Sequence, residues 1–264
     1  MAAYDLVLAK YEWAKHHVNN FNNAEQIFRN ENRISFSREI DTTTREFVYK
    51  VRIIPEIPQS IRFMLGDAIH NLRSALDHAA YAVVKAGTSQ PDTHTYFPVF
   101  DDPKAYASML KSRVPGLRQH CYEVFDRIQP YKNGWGHWIW QLHRLDIIDK
   151  HRLLLAISTI PVARTATPSD KSAPGIHKGI VAAAMPVFFQ QLIFGSHPRV
   201  SVKAVETGDE IGRFPATEEY ENMGFGFDVA LDEPEVTTGM PTYLLLGLFS
   251  SQVLGVINDL AFFM

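Results

Sequence analysis

The sequence predicts an α+β protein: a helical bundle with a β-hairpin and a small C-terminal β-sheet, closed by a C-terminal helix. Three observations predict it. Apolar residues recur at helical spacing through most of residues 1–157, two short alternating runs interrupt that pattern early, and short β-like runs follow a Ser-, Thr-, Pro- and Gly-rich stretch after Val162. The expected organisation is a helical domain over residues 1–160 that includes the hairpin at 33–54, and a β-rich region with the terminal helix over 161–264, packed together as one unit.

The elements follow in order. Val7, Tyr11, Ala14, Val18, Phe21 and Phe28 make one stripe of an N-terminal helix covering the first thirty residues. Ile34/Phe36/Ile40 and Phe47/Tyr49/Val51/Ile53 alternate and are joined through Asp41-Thr42-Thr43-Thr44, which reads as a hairpin. Pro58 suits a first helical turn and Gly87 a helix stop, so the segment between them is one long helix with a core stripe of Leu65, Ile69, Leu72, Leu76, Ala79 and Val83. A loop with His94 covers 88–100. Asp102-Pro103 then opens a short helix, Pro115-Gly116 breaks it, and another helix runs from Leu117 to Ile128. A helix from Gly136 to Ile157 mixes polar and apolar residues all round, which places it centrally with its charges satisfied by neighbours or a ligand. Its tryptophans, Trp135, Trp138 and Trp140, read as core or interface anchors. Strands are expected at 179–184, 187–194, 200–205 and 225–231, an exposed acidic loop at Glu218 to Glu221, and a last amphipathic helix from Tyr243 to Phe263.

Composition excludes several classes. The chain has 264 residues, 46% of them hydrophobic and 21% charged, which is a folded protein rather than a disordered one. The single Cys121 rules out an internal disulfide framework and fits a reducing, cytoplasmic setting, where it serves as a buried small hydrophobe. The N-terminus lacks a signal-peptide pattern, and no uninterrupted apolar run reaches membrane-spanning length, so no membrane partner is expected. The net charge of −3 is uneven: residues 205–235 hold ten acidic residues and one base, whereas residues 1–204 hold 25 Lys and Arg against 18 Asp and Glu. That basic excess permits RNA or a nucleotide as partner without demanding one, and suggests that the acidic segment covers a basic groove.

The chemistry concentrates on the long helix. At 100° per residue, Asp67, His70, Asn71, Arg73, Ser74, Asp77 and His78 share a sector of roughly 160° opposite the apolar stripe. A plain solvent face would be richer in Lys and Glu. Phosphate loops, paired-cysteine zinc patterns, nucleophile elbows and His-Glu-x-x-His are all missing, which lowers the case for nucleotide-driven and dinucleotide redox chemistry. What remains is Arg73-x-x-x-x-His78. Five positions give about 140° of rotation, so the two side chains flank a groove, with Arg73/Asp77 and Ser74/His78 as i, i+4 pairs. A guanidinium clamps a phosphate and a histidine exchanges a proton near neutral pH, a combination that supports attack of an RNA 2′-hydroxyl on its own phosphate.

The run Gly66 to His78 resembles the Arg-x4–6-His motif of the HEPN superfamily of all-helical nuclease and nucleotide-binding domains. Together with Asp146-Ile147-Ile148-Asp149-Lys150-His151-Arg152, it is also similar to bacterial proteins carrying HNLRSALDH and DKHR blocks. The resemblance spans about residues 58–157 and implies a metal-independent endoribonuclease, of a kind often found as toxins or phage-defence effectors, that works as a homodimer with Arg73 and His78 catalytic. Ser74 departs from the Asn, Asp or His that often follows the motif Arg, and the region after Val162 lies outside the resemblance.

The full expectation is therefore Arg73 stabilising the phosphorane and His78 moving the proton. His70, Asn71 and Asp77 orient them, Lys150, His151 and Arg152 contact phosphate, and no cofactor or metal takes part. Two other readings stand beside it. One is a non-enzymatic nucleotide-, RNA- or protein-binding module in which Arg73–Asp77 is an internal ion pair and Lys150 to Arg152 pair with Asp146 and Asp149. The other is a metal-dependent hydrolase using His70, Asp77, His78, Asp149 and His151 as ligands.

Overall fold

A computed structural model describes residues 2–87, 90–92, 94–152, 155–164, 205–221 and 224–264. Its elements are α1 (Ala3–Glu31), β1 (Ser35–Asp41), β2 (Glu46–Ile53), α2 (Gln59–Ala86), α3 (Pro103–Arg113), α4 (Gln119–Ile128), α5 (His137–His151), β3 (Ile157–Arg164), β4 (Glu210–Pro215), α6 (Glu218–Glu221), β5 (Gly224–Glu233), β6 (Thr237–Pro241) and α7 (Thr242–Leu260), with a 3₁₀ turn at Ala261–Phe263. The chain is mixed helix and strand, as expected. The strands expected at 179–184 and 187–194, and that at 200–205 up to residue 204, lie outside the described residues.

The chain sorts into two compact units that interleave along the sequence. A helical unit takes Met1–Asn23, Gln59–Leu155 and Tyr243–Met264; a sheet unit takes Ala24–Pro58 and Ala156–Thr242. One crossing between the units falls at Leu155/Ala156; the hairpin sorts with the later strands and the terminal helix with the bundle. The cause is pairing: β2 lies antiparallel to β4, with Phe47 opposite Phe214, so the hairpin completes a sheet whose third strand is far away in sequence.

In the helical unit the apolar stripes bury as their spacing requires. Leu65, Ile69, Leu72 and Leu76 of α2, Ile139, Leu142 and Leu145 of α5, and Leu246, Phe249, Val253 and Ile257 of α7 are all buried, as are Phe21, Phe97 and Phe125. Polar contacts fix the register: the Tyr11 hydroxyl bonds the Ser250 hydroxyl at 3.0 Å, the Tyr4 hydroxyl donates to Asn258 at 3.1 Å, and the Trp140 indole donates to Asp101 at 3.0 Å. Asp102 caps α3 by accepting from the Lys104 and Ala105 amides, with Pro103 in the first turn. Cys121 is buried, and burial pushes its thiol up to about 11, so it packs as a hydrophobe.

Thr242–Phe263 spans 22 residues at a mean hydropathy of 1.5, enough by length and composition to cross a membrane, although its apolar run is interrupted at Ser250-Ser251-Gln252 and Asn258-Asp259. Its stripe is nevertheless buried within the helical unit. The helix expected over 136–157 ends at His151, where Arg152 turns to an extended φ of −118° and its amide donates to the Ile148 carbonyl. Ile157 already pairs with Leu231 in β3–β5, so cross-strand pairing of β-branched residues overrides continuation of the helix.

The sheet unit holds two three-stranded antiparallel sheets, ordered β1-β2-β4 and β3-β5-β6. The Asp41 carboxylate accepts from the Thr43 and Thr44 amides and Arg45 adopts a φ of 56°, which closes the expected hairpin turn. Phe225 of β5 packs against Phe36 (4.9 Å between ring centres) and Tyr49 (5.1 Å), joining the two sheets. The Glu218–Glu221 segment, expected as a loop, is one turn of helix whose Tyr220 carbonyl accepts from the Tyr49 hydroxyl.

Candidate functional site

The polar face of α2 meets α5 in two layers. The inner layer is centred on Arg73, only 3% exposed. Its Nε donates to His143 Nδ1 at 3.1 Å, its Nη1 to Asp77, and its Nη2 to the Phe97 carbonyl at 2.9 Å. Asp77 also accepts from the Phe97 amide at 2.8 Å, closing a ring that pins the loop before α3 onto α2. Because a guanidinium has no acceptor, His143 Nδ1 must carry the lone pair, which assigns its proton to Nε2. Burial and the Arg73 charge hold the His143 imidazole down to about 4, so it stays neutral at physiological pH.

The outer layer is centred on Asp146, buried at 2% exposure. One of its oxygens meets His70 Nδ1 at 3.0 Å and the other accepts from Lys150 Nζ at 2.5 Å. An ionised carboxylate only accepts, so the His70 proton sits on Nδ1 and leaves Nε2 of this half-exposed ring (53%) toward solvent. Asp149 lies against Gly66, where a β-carbon would stand 2.7 Å from its Oδ1. Its carboxyl is held above the usual range, first by burial and then by Asp146 and Asp67. Asn71 donates to the Asp67 carbonyl and accepts from Lys10 of α1 at 2.9 Å.

The expected residues thus divide. Arg73 and Asp77 come together, but inside the unit rather than on a groove. His78 is exposed on the far side of the same helix, and no hydrogen bond joins it to Arg73; the 140° between them separates an inward from an outward position. Partial desolvation and the Lys10 ammonium hold the His78 imidazole below its ordinary value, while Asp77 pulls the other way. Lys150, His151 and Arg152 are exposed at the C-terminal end of α5, where cations suit the helix dipole.

The residues not singled out from sequence are His143, Asp146 as the central carboxylate, the Phe97 backbone, Gly66 and Lys10. A signal for the first two existed: His143, Asp146 and Lys150 are spaced 3 and 4 along α5 and make a polar row. Among the described residues no three His, Cys, Asp or Glu side chains converge on a common point, so the metal-ligand set considered from sequence is not brought together there. Of the tryptophans, Trp140 is buried and Trp135 is 82% exposed, so only the former is a core anchor.

The basic excess also redistributes. The helical unit carries 14 Lys and Arg against 12 Asp and Glu, a net of +2, so a polyanion would be held by individual side chains rather than by a broad field. Comparison with protein families, curated proteins and solved structures finds no match to this chain.

Proposed function

We propose that the chain is a HEPN-like protein that cleaves RNA without a metal, at the exposed edge shared by α2 and α5. The observation that carries this reading is the pair formed by Asp146 and His70. A buried carboxylate bonded on both oxygens orients a half-exposed imidazole and leaves Nε2 free to exchange a proton. Cleavage of RNA by its own 2′-hydroxyl needs a base for that hydroxyl and an acid for the departing 5′-oxygen, and His70 supplies one of the two. Lys150, His151 and Arg152, exposed at the C-terminal end of α5, are the phosphate contacts in this reading.

Arg73 takes a different part from the one its motif suggests. Its guanidinium is committed to three internal partners, so it positions α2 against α5 and against the Phe97 backbone instead of touching phosphate. Incubating the purified protein with mixed RNA in EDTA tests the reading, with products ending in cyclic phosphate as the expected result. A second reading, a non-enzymatic RNA- or nucleotide-binding module, draws on the burial of Arg73, the residue assigned to the phosphorane. RNA retained on the protein without any product would select it.

A further inference from the structure

The site described above has one acid–base group with an orienting partner and needs a second. His78 is eight residues from His70 on α2, about 12 Å along the axis and 80° around it. Asp149 is nearer. Its carboxylate lies flat on the α2 backbone at Gly66, with Oδ1, Oδ2 and Cγ at 2.7, 2.8 and 2.9 Å from where a β-carbon would be. Gly66 and His70 are i, i+4 neighbours on α2, roughly 6 Å apart. Asp146 and Asp149 are one turn apart on α5, so the seam between the two helices aligns Asp149 directly beside the His70–Asp146 pair.

We infer that Asp149 is the second proton-transfer group of this site, paired with His70 across the α2–α5 seam. The inference rests on the reading that the site cleaves RNA. The groups facing Asp149 are Asp67 and His70 from α2 and Asp146 and Lys150 from α5. Burial and the two carboxylates raise its proton affinity while His70 and Lys150 oppose them, which makes it a stronger base than a free aspartate. In the step, the Asp149 carboxylate takes the 2′-hydroxyl proton as the O2′–P bond forms. The P–O5′ bond breaks, and Nε2–H of the His70 imidazolium gives its proton to O5′. The products are a 2′,3′-cyclic phosphate and a 5′-hydroxyl; exchange with water then restores both groups.

Gly66 is the glycine that makes this seat, which provides a second variant. Gly66→Ala puts a methyl where the Asp149 carboxylate rests, and the end of that flexible side chain moves aside. Alanine is also the better helix former by about 1 kcal/mol, so the fold is retained. The experiment follows the His70 imidazole by NMR titration in the wild-type, Asp149→Asn and Gly66→Ala proteins and records pH–rate profiles for RNA cleavage alongside. Asp149→Asn should lower the His70 midpoint by about one unit, because a facing negative charge is lost. Gly66→Ala should lower it by less. Cleavage should fall at least about 100-fold in Asp149→Asn, with loss of the acidic limb of the profile. A His70 midpoint unmoved by Asp149→Asn overturns the pairing whatever the activity. A midpoint that moves in a wild-type protein with no cleavage at any pH keeps the pair and removes the RNA-cleavage reading beneath it.

Discussion

The neutral His143 beneath Arg73 makes the helical unit sensitive to acid in a calculable way. In the unfolded chain this imidazole takes a proton near pH 6.5; in the fold, burial and the Arg73 guanidinium delay that to about pH 4. The unfolded state therefore binds more protons between these limits, and the stability present above pH 6.5 is withdrawn as the pH falls toward 4. Two and a half units at about 1.4 kcal/mol each amount to about 3 kcal/mol. Glutamine at position 143 retains an acceptor for Arg73 Nε but cannot titrate, so the comparison is wild type against His143→Gln. All four tryptophans, Trp13, Trp135, Trp138 and Trp140, lie in the helical unit, so urea unfolding followed by indole fluorescence reports on that unit alone. Wild type should lose about 3 kcal/mol more than His143→Gln between pH 7 and pH 4. Equal losses would mean that His143 is not held neutral by Arg73, and the inner layer would have to be redrawn.

Arg73→Ala leaves the Phe97 carbonyl, His143 Nδ1 and the one-third-exposed Asp77 carboxylate without their donor, at a cost of about 4 kcal/mol or roughly 10 °C in the melting temperature, which calorimetry would measure. Arg73→Lys should recover only part of this, because a point cation cannot reach three diverging acceptors. In the sheet unit, Glu25 lies buried beside Asp228 and Arg29, and burial raises its carboxyl from 4.5 to about 7. That unit should therefore gain stability as the pH drops from 7 toward 4.5, the opposite slope to the helical unit, and Glu25→Gln should abolish the gain as read by amide exchange in β5. His78→Ala should leave the fold intact and reduce RNA cleavage far less than a change at His70, which parallel rate assays would show.

Much of the architecture was legible because it is local. The α2 stripe, the Asp102-Pro103 start of α3 and the Asp41 turn each rest on residues within a few positions of one another. What was not legible is non-local. The short run Glu210 to Pro215 with its Gly and Pro is weak strand material on its own; pairing with β2 makes it β4, and the same pairing moves the hairpin out of the helical unit. The site followed the same division. The unusual chemistry of the α2 face was visible, but Arg73 sits at its edge, one turn from buried Ile69. A long side chain at such an edge turns inward once acceptors await it. Two of those acceptors, a backbone carbonyl at Phe97 and His143 on another helix, leave no mark in the sequence around Arg73.

In the proposed function His70, oriented by Asp146, is one proton-transfer group of metal-independent RNA cleavage. This role is tested most directly by incubating wild-type and His70→Asn proteins with single-stranded RNA in EDTA and quantifying products that end in 2′,3′-cyclic phosphate. Such products are expected from the wild type, with a loss of at least about 100-fold in the variant and an unchanged melting temperature. Cleavage by His70→Asn at the wild-type rate, or no cyclic-phosphate product from the wild type, would contradict it.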